Sequence, residues 1–367
     1  MSAFAIAGLL LVTLQVWLTW RFRRDADRDD TRVFWRRPMV SILKPVCGLD
    51  DELEQNLVSF TQLRGVRYEV IISAEEWADP AIAIVRRVMR EHPHAPFRIV
   101  IDPGSRSGVV NRKVERLIAA AEAARGEIFF ISDSNVRVEP DDVARTIDAF
   151  ANPRIGCVSN LFTASGAQSL GATIESLHLL SFVAPGAVLA ASAGVPCVVG
   201  KSMAISRTVH DAIGGFARFR RVLAEDQAIG LAVRDAGFEV MLSPLTVRNV
   251  VVDRSVKKAV DRQVRWNKIR YSFSHGLYLS EILLNPFALA LLALPFAPVV
   301  LLMRVLHVAV LNRALRAQLS WRQLLCVPLL DALMLYAWFV PFFSNSVTWR
   351  GYRARIGRNT EMIEVAA

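Results

Sequence analysis

Apolar and polar positions follow two different patterns along this chain. Residues 3–20 are almost wholly apolar, close to the length a helix needs to cross the hydrocarbon core of a bilayer. Two more apolar regions lie far downstream. One runs from about 277 to 303 and is interrupted by Pro286, Pro295 and Pro298. The other runs from about 324 to 343, with Asp331 inside it and Pro328 and Pro341 near its ends. Between residues 39 and 270 short apolar runs take turns with helical periodicity. Residues 40–43, 68–72, 97–101 and 127–131 read as strands, and 51–63, 80–90 and 112–124 as amphipathic helices between them. Strands separated by helices predict an α/β body with a mostly parallel sheet and helices on both faces. In such sheets ligands bind beyond the carboxyl ends of the strands.

The polar residues at those strand ends form a set. Strand two runs into Glu75, Glu76 and Asp79, and strand three is followed by Asn111, Arg112 and Lys113 behind a Gly-containing loop. Strand four delivers Asp133 and Asn135. A single acidic loop residue is usually a solvated surface group. Acids at successive strand ends, with a lysine beside them, suit a Mg²⁺ or Mn²⁺ diphosphate site, because a hard cation takes oxygen ligands and the phosphates need a cation.

Composition places this body against lipid. The 367 residues suffice for one large catalytic domain plus membrane segments, and 53% hydrophobic with 21% charged residues suggests a soluble body attached to a bilayer. A net charge of +10 favours anionic partners such as lipid headgroups and nucleotide phosphates. Nucleic acid is not expected as a partner, because the basic residues crowd beside apolar runs and form no aromatic-interleaved face. Four cysteines without any CxxC point to reduced thiols. The first apolar run lacks a basic n-region and a small-residue cleavage site, so it reads as an anchor. Arg21, Arg23, Arg24, Arg28, Arg32, Arg36 and Arg37 follow it, which places the next domain in the cytoplasm. The tail around Arg350, Arg353 and Arg355 is basic too, and three spans would bring it to the same side. Arg304, Arg313, Arg316 and Arg322 resist that count. They call for either an interfacial amphipathic helix or re-entrant segments.

Several short motifs occur in order. They are Leu43-Lys44-Pro45-Val46-Cys47-Gly48 with Asp50, Tyr68-Glu69-Val70, Asp79-Pro80-Ala81-Ile82 and Asn111-Arg112-Lys113-Val114. Asp133-Ser134-Asn135, Glu225-Asp226, Arg262-Gln263-Val264-Arg265-Trp266 and the C-terminal Thr348-Trp349-Arg350 with Tyr352-Arg353 follow. In these the chain resembles the ceramide glucosyltransferases over nearly its whole length. Asp-x-Asn alone is a weak signal; Glu-Asp followed downstream by Arg-x-x-Arg-Trp is a strong one. The resemblance implies a GT-A (nucleotide-diphospho-sugar transferase) domain at 39–270. Flanking it would be an anchor at 1–20, a basic linker at 21–38, membrane segments at 277–343 and a basic cytoplasmic tail at 344–367.

The same resemblance implies an inverting transfer of a hexose, glucose first, from a UDP-sugar to the hydroxyl of a membrane lipid, ceramide first. A divalent metal, Mn²⁺ or Mg²⁺, would assist at a membrane of bacterial inner-membrane type. Asp133 would bind the metal and donor diphosphate together with Lys113, and Asp226 would be the general base. Glu225, Arg262, Arg265 and Trp266 would close the acceptor and diphosphate side. Asp226 precedes the helical stretch 227–236, where a capping role is the bland alternative. The acid that contacts the nucleotide falls at Glu76 or Asp79, and Asn135 stands where a second carboxylate could be. The apolar stretch 170–205, with Cys197, would line a lipid-acceptor groove or pack on the membrane surface, or else form an ordinary buried helix and strand. Related chemistry stays open: another lipid such as a hopanoid or diacylglycerol with UDP-N-acetylglucosamine, or a processive polysaccharide synthase, which would need more spans. A non-catalytic binding protein is disfavoured by the presence of Asp133, Glu225, Asp226 and Arg265.

Overall fold

The computed structural model describes residues 3–26, 38–104, 109–349 and 352–364. Arg28, Arg32, Arg36, Arg37 and Arg350, on which part of the charge argument rests, lie outside the described residues. The chain divides into two compact units. One comprises Ala26–Phe162 and Ala190–Val250, the other Met1–Asp25, Thr163–Leu189 and Val251–Ala367. Residues 163–189, inside the expected body, thus group with the apolar helices.

The first unit is built on an eight-stranded sheet. Its strands are β1 Met39–Pro45, β2 Arg67–Ala74, β3 Phe97–Ile101, β4 Ile128–Ser132, β5 Val136–Arg137, β6 Ile155–Ser165, β7 Ser202–Ser206 and β8 Glu239–Val250, in the order β3-β2-β1-β4-β7-β6-β8-β5. The β3-β2-β1-β4 half is parallel, with Leu43 of β1 lying between Ile71 of β2 and Ile131 of β4. Every residue of β4 is buried. That fits an apolar run covered on both faces rather than alternating. Beyond β4 the sheet turns antiparallel, through the β4–β7, β6–β7 and β5–β8 pairs.

Two helices show how the sequence sets local structure. Helix Pro80–Glu91 opens with Asp79 as its cap and proline in its first turn, a favoured start. It buries Ala81, Ile82, Val85 and Val88 at helical spacing, each Val or Ile contributing about 1.5–3 kcal/mol. Helix Arg112–Ala123 is capped by Asn111, whose side chain accepts from the Lys113 and Val114 N–H groups. The expected helix at 51–63 is shorter, Leu53–Ser59. Antiparallel pairing then fixes where the site forms. Ser132, the last residue of β4, lies opposite Ser202, the first of β7. Residues just before β7 therefore reach the edge onto which the parallel strands open.

The second unit holds the long apolar helices. Among the described residues four are long and apolar enough to cross a membrane, Ala3–Arg24, Leu170–Ser192, Leu294–Ala314 and Trp321–Phe342, or five with the bent pair His275–Leu284 and Pro286–Leu292. These candidates outnumber the three spans counted from the sequence. The region expected as one span at 277–303 breaks by 70°, where Asn285 caps a new helix and Pro286 supplies no N–H. The stretch 170–192 is a helix that is 67% buried, against 22–33% for the other three. Arg304 is not a loop residue signalling topology; it lies inside helix Ala297–Ala314 and is buried. The first helix continues past residue 20 to Ala26. The expected tail contains a small antiparallel sheet of β9 Ser346–Trp349, β10 Tyr352–Ile356 and β11 Met362–Glu364.

Candidate active site

The ends of β1 and β4 hold the first parts of the site. Lys44 is fully buried at the end of β1. Its ammonium donates to the Asp133 carbonyl at 2.8 Å and to Ser132 Oγ at 3.3 Å, and lies 4.3 Å from the centre of the Phe60 ring. Burial pushes it down to about 7, although Asp133 and Asp50 pull the other way. Asp133 is locked from its other side, since its N–H donates to the Lys201 carbonyl just before β7.

Lys113 joins the acids. Capping by Asn111 places it in the first turn of its helix. Its Nζ lies 2.9 Å from Asp133 Oδ1 and 3.1 Å from Glu225 Oε1, and donates to the Gly200 carbonyl at 3.0 Å. Burial opposes its charge, but Asp133, Glu225 and Asp226 together hold it above the ordinary lysine range. A second lysine, Lys201, lies 3.8 Å from Asp133 Oδ2 and donates to Asn249 at 2.6 Å and to Asn135 at 3.4 Å. Asn135, which could have offered a second ligand, thus accepts from a lysine instead.

Glu225 and Asp226 open helix Glu225–Asp235, so Asp226 lies in the first turn and not at the cap that was its bland alternative. Its Oδ2 accepts the Gly200 N–H at 2.6 Å and its Oδ1 the Gln227 N–H at 2.8 Å. Glu225 Oε2 accepts from Asn111 at 3.0 Å. Burial, then the neighbouring Glu225 charge, push the Asp226 carboxyl up to about 6, with Lys113 opposing. A carboxylate that titrates near neutrality is matched to proton transfer. The cluster also needs Gly200, which the sequence did not single out. A Cβ there would lie 3.0 Å from Asp226 Cβ and 3.0 Å from Lys113 Nζ, closer than side chains normally pack. Lys44, Gly200 and Lys201 were missed as site residues because their partners are remote in sequence; the one local hint is a Gly-Lys pair directly before a strand.

The acids after β2 divide. Glu75 is held by Arg112 at 2.8 Å and Arg116 at 3.1 Å. Asp79 caps its helix and accepts the Gly48 N–H at 3.0 and 3.1 Å. Glu76 is exposed and its carboxylate has no hydrogen bond or ion pair among the described residues, so of the two nucleotide candidates it is the one with an open carboxylate. The cysteines are all free. Burial pushes the Cys157 thiol up to about 12, and burial with the Asp226 charge lifts Cys197 to about 11.

Arg262, Arg265 and Trp266 belong to the other unit, on helix Val256–Phe273. Arg262 Nη1 donates to Glu175, and its guanidinium lies 4.8 Å from the centre of the Trp266 ring. Glu175 is fully buried, with Arg254 Nε 3.2 Å from its second oxygen. Trp266 also packs near His178, with ring centres 5.9 Å apart. Arg265 is half-buried.

Among the described residues no group of three His, Cys, Asp or Glu side chains is placed to hold a metal ion. Asp133 supplies one carboxylate, 26% exposed. Mg²⁺ is commonly bound through one or two carboxylates plus substrate phosphates, so the residues fit a metal that arrives with a diphosphate rather than an all-protein cage.

Known proteins resemble this chain at both levels. A mannosyltransferase from Pyrobaculum calidifontis, solved with GDP-Man and Mn²⁺, superposes with a TM-score of 0.55 at 18% identity, covering 93% of this chain and 98% of that one. The fold is therefore the α/β GT-A type. Ceramide glucosyltransferase 1 of Caenorhabditis elegans is 28% identical over 76% of this chain, and ceramide glucosyltransferase 3 of that organism 24% identical over 68%. The matched stretches span 60% and 54% of those relatives' own lengths. The sequence profile described as glycosyl transferase family 21 matches residues 1–362, from the first apolar helix to the first residue of the last strand. By that match over nearly every residue, the chain belongs to glycosyl transferase family 21.

Proposed function

We propose that this protein transfers a hexose, with inversion, from a UDP-sugar to the hydroxyl of a membrane lipid of the ceramide type. The observation that carries the reading is the Lys113–Asp133–Glu225–Asp226 cluster at the edge onto which the parallel strands open. Asp226 takes the proton of the lipid hydroxyl as that oxygen bonds to the sugar's anomeric carbon and the bond to the UDP oxygen breaks. The Gly200 and Gln227 N–H groups aim its carboxylate. Lys113 and Lys201 supply positive charge beside Asp133, where the departing diphosphate gathers negative charge. Asp133 would hold a divalent metal, Mn²⁺ or Mg²⁺, which when bound neutralises phosphate charge. Glu76, open to solvent, or Asp79 would meet the nucleotide. Arg262, Arg265 and Trp266 would serve the acceptor and diphosphate side, with Glu175 positioning Arg262. The lipid preference follows the ceramide glucosyltransferases matched above, and the GT-A neighbour solved with Mn²⁺ supports the metal.

The long apolar helices support a bilayer-bound enzyme, and Arg21, Arg23 and Arg24 after the first of them favour a cytoplasmic body. Membranes carrying the protein, given labelled UDP-glucose or UDP-N-acetylglucosamine with ceramide, diacylglycerol or a hopanoid, should yield labelled glycosylceramide. Chelator should abolish the product and added Mn²⁺ or Mg²⁺ restore it. Label that appears only in polymer, or in no lipid, overturns the proposal; undiminished turnover in excess chelator removes the metal from it.

A further inference from the structure

A second concentration of buried polarity lies within the helical unit. Arg304 gives two hydrogen bonds to Asp331, at 3.0 and 3.1 Å, and one to Ser181 at 3.0 Å. Arg270 donates to both oxygens of Glu281 at 3.0 Å and to Asn267 at 2.5 Å. These two ion pairs and His178 border one cavity of about 30 Å³, which Phe182, Ile282, Leu335 and Trp338 help to enclose. Arg304 and Asp331 are buried and Arg270 and Glu281 half-buried, and well-packed apolar residues often stabilise such buried positions at least as well as an ion pair does. Stability alone therefore does not account for them, and ionisable groups among membrane-type helices point to function.

Two observations direct the site toward a ligand. His178 is 2% exposed and stacks on Phe182 with ring centres 5.2 Å apart. Neither of its ring nitrogens has a hydrogen bond among the described residues, and Nδ1 is sealed from solvent. A buried polar atom left unpaired is costly, so this ring calls for a partner. Immediately after it the helix widens into a π-turn, Leu179–Val183, which carries Ser181 and Phe182. Turns of this kind recur at functional sites.

We propose that this cavity receives a hydroxyl or amide group of an uncharged lipid head, hydrogen-bonded to His178. The volume holds about two water-sized groups, which suits one or two polar atoms and not a whole sugar. Both arginines are matched by a carboxylate, so the site keeps no spare positive charge for a phosphodiester. That selects a neutral polar head over an anionic phospholipid. The inference rests on the lipid-acceptor reading above and adds where the head is read and by what chemistry.

The test uses full-length protein carrying Asp226→Asn, in nanodiscs of neutral phospholipid, with a ceramide bearing a photoactivatable group next to its head. Crosslinks should map to the peptides containing Phe182 or Met334, which both line the cavity. Unlabelled ceramide should compete and phosphatidylglycerol should not. His178→Phe, which keeps the ring stack, and Met334→Trp, which fills the cavity, should each cut capture about tenfold, the equivalent of one buried hydrogen bond. Either variant suffices if the other fails to fold by thermal unfolding. Capture unchanged in the folded variants, mapped elsewhere, or equally competed by phosphatidylglycerol overturns the proposal. If otherwise wild-type protein forms no glycolipid while site-specific capture persists, the head-group site stands and the transferase reading falls.

Discussion

In the sheet-bearing unit one lysine serves several acids: Lys113 touches Asp133 and Glu225 at 2.9 and 3.1 Å and also acts electrostatically on Asp226. In the helical unit Arg304 gives two hydrogen bonds to a single acid, Asp331. The first arrangement leaves an acid, Asp226, with a carboxyl raised toward neutrality and ready to exchange a proton. The second closes its charges on each other, so each ion is compensated before any ligand arrives. Shared compensation suits chemistry, and private compensation suits a buried charge that must persist among apolar helices.

The largest effect expected from breaking this contrast is in the shared cluster. Asp226→Asn keeps the size of the side chain but removes the proton acceptor, so kcat should fall by about 10²–10⁴, with UDP-sugar binding largely retained. Steady-state glycolipid formation and a nucleotide-sugar binding assay read the two. Retention of more than about a tenth of wild-type turnover, against that loss, would move the base to Glu225.

The private pair should respond differently. Arg304→Leu strands Asp331 and should cost about 3–5 kcal/mol of stability, whereas Arg304→Leu with Asp331→Leu should come close to wild type. Thermal unfolding in detergent compares them. A double variant as unstable as the single one would mean that the pair does more than compensate itself.

A smaller effect is pH. Asp226 accepts a proton only when ionised, and its carboxyl is raised to about 6. Turnover should therefore be level from neutral pH upward and fall by about tenfold per unit well below pH 6. A profile level down to pH 5 would detach the rate from this carboxyl. The mildest change is Glu225→Gln, whose amide oxygen can still accept from Asn111 and which loses the charge attraction to Lys113 and the repulsion that helps raise the Asp226 carboxyl. Its kcat should fall by less than about tenfold. A loss equal to that of Asp226→Asn would erase the distinction between the two acids.

Much of the parallel half was legible because its periodicities are local. β3 occupies the expected 97–101, and the helices expected at 80–90 and 112–124 occur as Pro80–Glu91 and Arg112–Ala123. Asp79, Asn111 and Pro80 mark those helix starts by chemistry that needs no distant partner. The antiparallel half carried weaker signals. The stretch 170–205, largely apolar, contains a helix with a π-turn, a loop and most of β7, and apolar runs of this kind do not distinguish strand from helix or core from membrane. Glu175 was unremarkable in sequence, yet Arg262 depends on it across 87 positions. The acids after β2 looked equivalent, and only folding assigned Glu75 to two arginines and Asp79 to the Gly48 N–H while leaving Glu76 open.

The sequence by itself determined the α/β class, the placement of acids and a lysine after successive strands, the apolar helices at both ends of the chain, and through its motifs the family. These follow from hydrophobic period, capping chemistry and chain order, which act over a few residues at a time. Only the tertiary structure decided that Asp226 lies inside a helix's first turn against Gly200, and that Arg304 is a buried partner of Asp331 rather than a marker of topology. It alone decided, too, that His178 borders a polar cavity. Antiparallel pairing of β7 with β4 and the packing of the apolar helices bring together groups scores of residues apart. Burial and charge at such places are properties of the assembled neighbours, which no local pattern encodes.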